Sequence, residues 1–400
     1  MSTEYDRLTA ALAGGGVDAV LERLAVELRE AKKYRELFQA RQMQVRRRLG
    51  LPVIGRGGLG ETPEPLRTQL EDGYVEACRE VGRLFLAEGR LRDAWPYLNV
   101  AGDRDVVRQA MTEVGPEDPR AGDVIELALY EGVWPLGGLE LVLKSRGTCN
   151  TITTMEGVLG ALSKEDQAGA AALLVRHLHA ELMANVKADI ARQGGAPPVE
   201  TTLEGLLADR DWLLADDAYH IDTTHLSATL RFARLTTAAD DLRLALDLAE
   251  YGRRLSSRYH FDAEEPFVEF YPSTRLYLRA LLAHATTTSA GQGGQPAGAI
   301  DEAANYFRGR VERLNVDEQG TSAVEHYLAL LARVGREELA MTEAVRLIPV
   351  GSSTVGIAPG LMELADRSGR YDRLTEICRE RGDLIGFAAG LVELESQRTR

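Results

Sequence analysis

Residues 220–225 read His-Ile-Asp-Thr-Thr-His, a His-x-Asp-x-x-His arrangement. Imidazole nitrogen and carboxylate oxygen are donors that suit zinc, iron or manganese. Asp222 and His225 stand three apart and could face one point on a helix. His177 and Glu181 lie one helical turn apart and could add a ligand from a neighbouring helix. Five of the seven histidines (His177, His179, His220, His225 and His260) fall in the middle of the chain. One expectation is therefore a divalent transition metal on His220, Asp222, His225 and His177, serving a metal-dependent enzyme of unspecified reaction. The competing expectation is structural and needs no cofactor. Asp222 caps a helix, while Tyr219, His220 and His225 pack at its junction. No His-Glu-x-x-His signature is present, which favours capping.

Other chemistry is sparser. Cys149 beside Asn150 could pair with a distant histidine, but no cysteine-hydrolase signature surrounds it, and a structural thiol is expected. Glu264, Glu265 and Glu269 near Tyr271 could act as acid and base; a solvated acidic loop is the simpler reading. Arg41, Arg46, Arg47 and Arg48 could meet an acidic partner, or sit against a helix C-terminal dipole. Gly55-Arg56-Gly57-Gly58 makes no phosphate loop, because no Gly-Lys-Ser/Thr follows it.

The elements that would position these groups are helices. Aromatics are only 6% of the 400 residues, and alanine, leucine, arginine and glutamate dominate, all strong helix formers. A short helix over 2–13 is expected to break at Gly14-Gly15-Gly16, followed by one long helix over 17–49. Residues 50–73 read as a linker. Helices are expected at 103–114, 123–132, 139–146, 164–193, 203–214, 223–235 and 240–255. Thr148 to Thr154 reads as a polar capping region, 256–272 as irregular, 273–285 as helix, and 286–298 as a second linker. The boundaries are 1–49, 50–73, 74–193, 200–285 (holding the histidines), 286–298 and 299–400.

The most ordered stretch is 74–101. Val81, Leu84 and Phe85 share a helical face, Gly89 can end that helix at positive φ, and Ala94, Leu98 and Ala101 continue on a second helix. Gly82 permits close approach, with a small residue expected opposite it. Similar units follow at 324–347 and 361–381, with Gly335-Arg336 and Gly369-Arg370 as their turns, 34 residues apart. The pattern resembles the tetratricopeptide repeat (TPR) in Val81-Gly82-Arg83-Leu84-Phe85, Gly89, Ala94 and Leu98. Cys78 stands where that family has tryptophan. The resemblance is good at 74–101, weaker at 324–381 and not evident in the central third. It implies an all-α fold, an α-solenoid of antiparallel hairpins with room for a divergent central helical domain.

The net charge of −14 repels phosphate backbones and anionic lipid, so neither nucleic acid nor membrane is expected as a partner. Three scattered cysteines make no disulfide framework. No basic and apolar leader opens the sequence, so a bacterial-type cytoplasmic protein is expected. Together these readings point to a non-enzymatic scaffold that holds a protein or peptide, basic in charge, in a concave groove. A self-associating scaffold is a third reading.

Overall fold

The structure, a computed structural model, describes residues 3–54, 62–194, 196–261, 263–290 and 297–399. It is all-α, and no β-strand occurs among the described residues. The chain divides into two compact units, one ending at Leu162 and one beginning at Ser163. The first holds α1 (Glu4–Glu30), α2 (Tyr34–Arg48), α3 (Leu66–Ala87), α4 (Leu91–Val100), α5 (Arg104–Thr112), α6 (Ala121–Leu129) and α7 (Pro135–Val158). The second holds α8 (Lys164–Gly194), α9 (Leu203–Leu207), α10 (Thr223–Ala233), α11 (Ala239–Arg254), α12 (Phe270–Ala290), α13 (Ala297–Val311), α14 (Val316–Gln319), α15 (Ser322–Arg333), α16 (Glu337–Leu347), α17 (Leu361–Ser368), α18 (Tyr371–Arg381) and α19 (Leu384–Thr399). Within each unit most helices pack on their neighbour in sequence.

One turn recurs. At Gly89, Gly335 and Gly369 the backbone takes φ of 71°, 75° and 68°. The next residue's N–H then reaches five residues back: Arg90 to the Phe85 carbonyl (2.9 Å), Arg336 to Leu331 (2.9 Å) and Arg370 to Ala365 (3.1 Å). This bond satisfies a carbonyl left open at the helix end and folds the next helix back. Lys32 makes the same turn with φ 54°, and Lys33 N–H bonds the Leu28 carbonyl at 2.8 Å. The single helix expected over 17–49 is therefore two helices. The glycine triplet does not end the helix before it either, because α1 runs through with a kink at Gly16.

Two polar stretches read as a capping region and a linker are partly helical. Helix α7 continues past a kink at Gly147, and Thr151 and Thr153 donate to the carbonyls four residues back at 3.0 and 3.2 Å. Thr286, Thr287 and Thr288 do the same in α12 at 2.9, 2.8 and 3.0 Å. Hydroxyls served within the helix no longer pull the backbone out of it. The remainder of that expected linker, 291–296, lies outside the described residues, as do Gly55-Arg56-Gly57-Gly58 and Gly195.

The first unit's core is clamped by rings. Tyr34 and Phe38 of α2 meet Phe85 and Tyr74 of α3 edge-on at 5.2 Å each, and Tyr97 of α4 stacks on Phe85 at 5.8 Å. The residue facing Gly82 is Leu98, not a small one: a Cβ at Gly82 would lie 2.5 Å from Leu98 Cγ. The glycine makes room for a large side chain from the returning helix. In the second unit one continuous apolar core runs from Val175 on α8 to Cys378 on α18.

Candidate binding groove and the central histidines

The histidine-rich segment is held by polar links from α8. His220 precedes α10, and its side chain is 6% exposed. Its Nε2 lies 3.3 Å from Asp189 Oδ2 on α8, and its Nδ1 lies 3.2 Å from the Tyr251 hydroxyl on α11. The His220 backbone N–H donates to that hydroxyl at 2.7 Å. Burial pushes the Tyr251 phenol well above its usual range. Further along α8, Arg176 grips the buried Asp241 of α11 with two bonds, 2.6 and 2.9 Å. His179 Nε2 sits 3.1 Å from Asp247 Oδ2.

Asp222 is the N-cap of α10. Its Oδ1 accepts from the Thr224 and His225 N–H groups at 2.8 and 3.0 Å and from the Thr224 hydroxyl. That hydroxyl first, then the two backbone donors, hold the carboxyl below its ordinary value, against the opposing effect of burial. The carboxylate is thus directed into its own helix, and the His220 ring is turned to Asp189 and Tyr251. His177 lies 3.8 Å from Glu181 on the same helix. Among the described residues no three His, Cys, Asp or Glu side chains are placed to hold a metal ion. His220, Asp222, His225 and His177 therefore do not converge on one point. The sequence pattern left out Asp189, Asp247 and Tyr251, because they lie on other helices.

The remaining candidates also separate. Cys149 is an exposed free thiol on α7. Tyr271 is 1% exposed, its ring packed where Gly252 has no side chain. Glu265 is paired with Arg310 instead.

A concavity lies in the first unit, between α1, α2 and α3. It is an open groove of about 830 Å³, within the size range of ligand sites. Leu21, Val45 and Ala77 are buried beneath it, and Gly73 lets α3 approach Val45 of α2. Five carboxylates and three guanidiniums line it. One side is a fixed network. Arg41 holds Glu80 at 2.7 and 2.9 Å and the Gln44 side-chain oxygen at 2.8 Å, and Gln44 reaches Glu22 at 3.0 Å. Arg41 in turn keeps the Glu80 carboxyl below its ordinary value. The rim is loose: Asp18 pairs with Arg47 at 3.1 Å and Glu76 with Arg79 at 2.5 Å, with both acids more than two-thirds exposed. Such pairs contribute little and exchange readily. Asp72 on the same rim is exposed. The basic run of α2 is thus partly engaged: acids of the groove neutralise Arg41 and Arg47, and Arg46 donates to the Pro52 carbonyl at 2.7 Å.

No protein-family model, curated protein or solved structure matches this chain. No helix among the described residues is long and apolar enough to cross a membrane.

Proposed function

We propose that the protein is a non-enzymatic helical-repeat scaffold. Its hairpins stack as TPR-like units, and it binds an extended basic segment of another protein in the groove between α1, α2 and α3. The observation that carries this reading is the groove itself, with its apolar floor, its fixed Arg41–Glu80 wall and its rim of exposed carboxylates. A lysine- or arginine-bearing segment can displace the weak rim pairs while its apolar side chains cover Leu21 and Val45. The recurring Gly-Arg turn, with the same five-residue-back hydrogen bond at three hairpins, supports the repeat assignment.

The test is fluorescence anisotropy with a labelled peptide of alternating lysine and leucine. The wild type should bind it, more weakly as salt rises. The double variant Asp72→Lys, Glu76→Lys should lose about tenfold in affinity, roughly 1.4 kcal/mol. Both positions are exposed, so folding should be retained. Equal binding of an acidic control peptide, or no effect of the double variant, would remove the groove from the function.

A further inference from the structure

Among the described residues, the second unit holds a buried cation with no counter-ion. Arg234 closes α10, keeps only 9% of its surface exposed, and lies with its guanidinium carbon 3.3 Å from the centre of the Phe267 ring. One of its nitrogens makes a long 3.3 Å bond to the Thr274 hydroxyl, and its Nε is buried without a partner among the described residues. Arg333 of α15 stands beside it, donating to the Arg234 and Thr236 carbonyls. His326, seven residues before Arg333 on the same helix, packs edge-on against Phe267 at 5.3 Å. The nearest buried carboxylate on α15 is committed elsewhere. Glu325 accepts from the Thr321 hydroxyl at 2.7 Å and from the Val355 and Ile357 N–H groups at 2.7 and 2.8 Å. Among the described residues, neither Arg234 nor Arg333 forms an ion pair.

Buried guanidiniums are ordinarily matched by carboxylate or phosphate. An aromatic face and one long hydroxyl contact replace only part of the lost hydration. Arg333 is half-buried, so its side of the pair is in part open to solvent. Burial holds the Arg234 guanidinium down to about 9, the direction expected of a cation lacking an anion.

We propose that Arg234 and Arg333 form a binding site for a small oxyanion, phosphate-like or carboxylate, lined by Thr274, Phe267 and the His326 ring. The site is separate from the groove of the first unit and independent of the function assigned there. The N–H donors left beyond the Thr274 and carbonyl bonds, the unpartnered Arg234 Nε–H among them, supply the contacts to an oxyanion. The Thr274 hydroxyl supplies a further donor.

The test is thermal unfolding and titration calorimetry of the full chain with inorganic phosphate, sulfate or acetate, each against chloride at matched ionic strength. Saturable stabilisation by phosphate and sulfate would identify a phosphate-like ligand; saturation by acetate alone would identify a carboxylate. Arg333→Met should weaken binding at least tenfold. Arg234→Met should abolish it and unfold at a higher temperature than the wild type in chloride, since an unmatched buried charge has gone. Three outcomes would each overturn the proposal. One is no saturable effect of any of the three anions. Another is an equal effect in Arg333→Met. The third is Arg234→Met folded, less stable in chloride and still responsive. Calorimetry on the wild type decides the matter if Arg234→Met fails to fold.

Discussion

His326 makes the stability of the second unit depend on pH in a calculable way. Burial first, and the neighbouring Arg234 charge second, depress its imidazole from 6.5 to about 4. The unfolded chain therefore takes up this proton before the folded one does. The stabilisation is fully present above the ordinary value of 6.5 and is lost as the pH falls toward 4. Each pH unit in that window removes about 1.4 kcal/mol, so moving from about pH 7 to about pH 5 removes roughly 2 kcal/mol. The assay is urea unfolding at both pH values for the wild type and for His326→Phe. Phenylalanine keeps the ring beside Phe267 without the titrating nitrogen. Other titrating groups contribute to both proteins and cancel in the difference. The wild type should lose roughly 2 kcal/mol more than the variant. Equal losses would mean that His326 is not held neutral by its surroundings, and the description of a buried cationic centre would fail with it.

Other outcomes follow from packing and capping. Gly309→Ala on α13, where a Cβ would meet nothing within 4 Å, should stabilise by up to about 1 kcal/mol. Gly252→Ala, where a Cβ would come within 2.1 Å of the Tyr271 ring, should instead destabilise by roughly 2 kcal/mol, overpacking outweighing the propensity gain. Denaturation midpoints that move together would refute the contrast. Glu325→Ala leaves the Val355 and Ile357 N–H groups without their acceptor and should cost roughly 2 to 5 kcal/mol. Limited proteolysis should then cut first within 349–360, and an unchanged cleavage pattern would contradict this. Asp222→Ala should cost about 1 kcal/mol as a lost N-cap, with Asp222→Asn close to wild type. Protein incubated with zinc and dialysed should keep less than about a tenth of an equivalent. One equivalent, lost in both His220→Ala and Asp222→Ala, would restore the metal reading.

The hairpins were legible in the sequence because their turns are written in glycine. Gly89, Gly335 and Gly369 each sit where only a residue tolerant of positive φ ends a helix without strain. The same turn at Lys32 was invisible, since nothing in a lysine announces a left-handed backbone. The threonine runs in α7 and α12 misled for the opposite reason. Hydroxyls that cap helices can equally bond within them, and the choice depends on the packing around them. Helix α19 was not anticipated. A Cβ at its Gly386 or Gly390 would lie 2.6 Å from Cys378 Sγ and 2.7 Å from Thr375 Cγ2, so these glycines bring α19 close onto α18. The histidines were legible as a cluster but not in role. His220 is fixed by Asp189 and Tyr251, each 31 residues away along the chain, and local spacing carries no record of such partners. Arg234 gave no sequence signal, because only tertiary structure shows that its charge is unmatched among the described residues.

The two properties of the cationic centre are coupled, which permits one more prediction. An oxyanion beside Arg234 offsets the positive charge that helps keep His326 neutral. With the anion bound, the imidazole should move back up toward its ordinary value, and less stability should be lost between about pH 7 and about pH 5. By linkage, protonating His326 must tighten anion binding by the same free energy. Sulfate is the suitable probe, because its charge does not change in this range. Saturating sulfate should narrow the difference between wild type and His326→Phe, and the sulfate affinity of the wild type should rise as the pH falls. General stabilisation by sulfate excluded from the protein surface would act on both proteins alike at each pH and leave that difference untouched. A sulfate effect that saturates but leaves the pH dependence unchanged would place the anion away from Arg234, and the assignment of the site to this pair of arginines would fall.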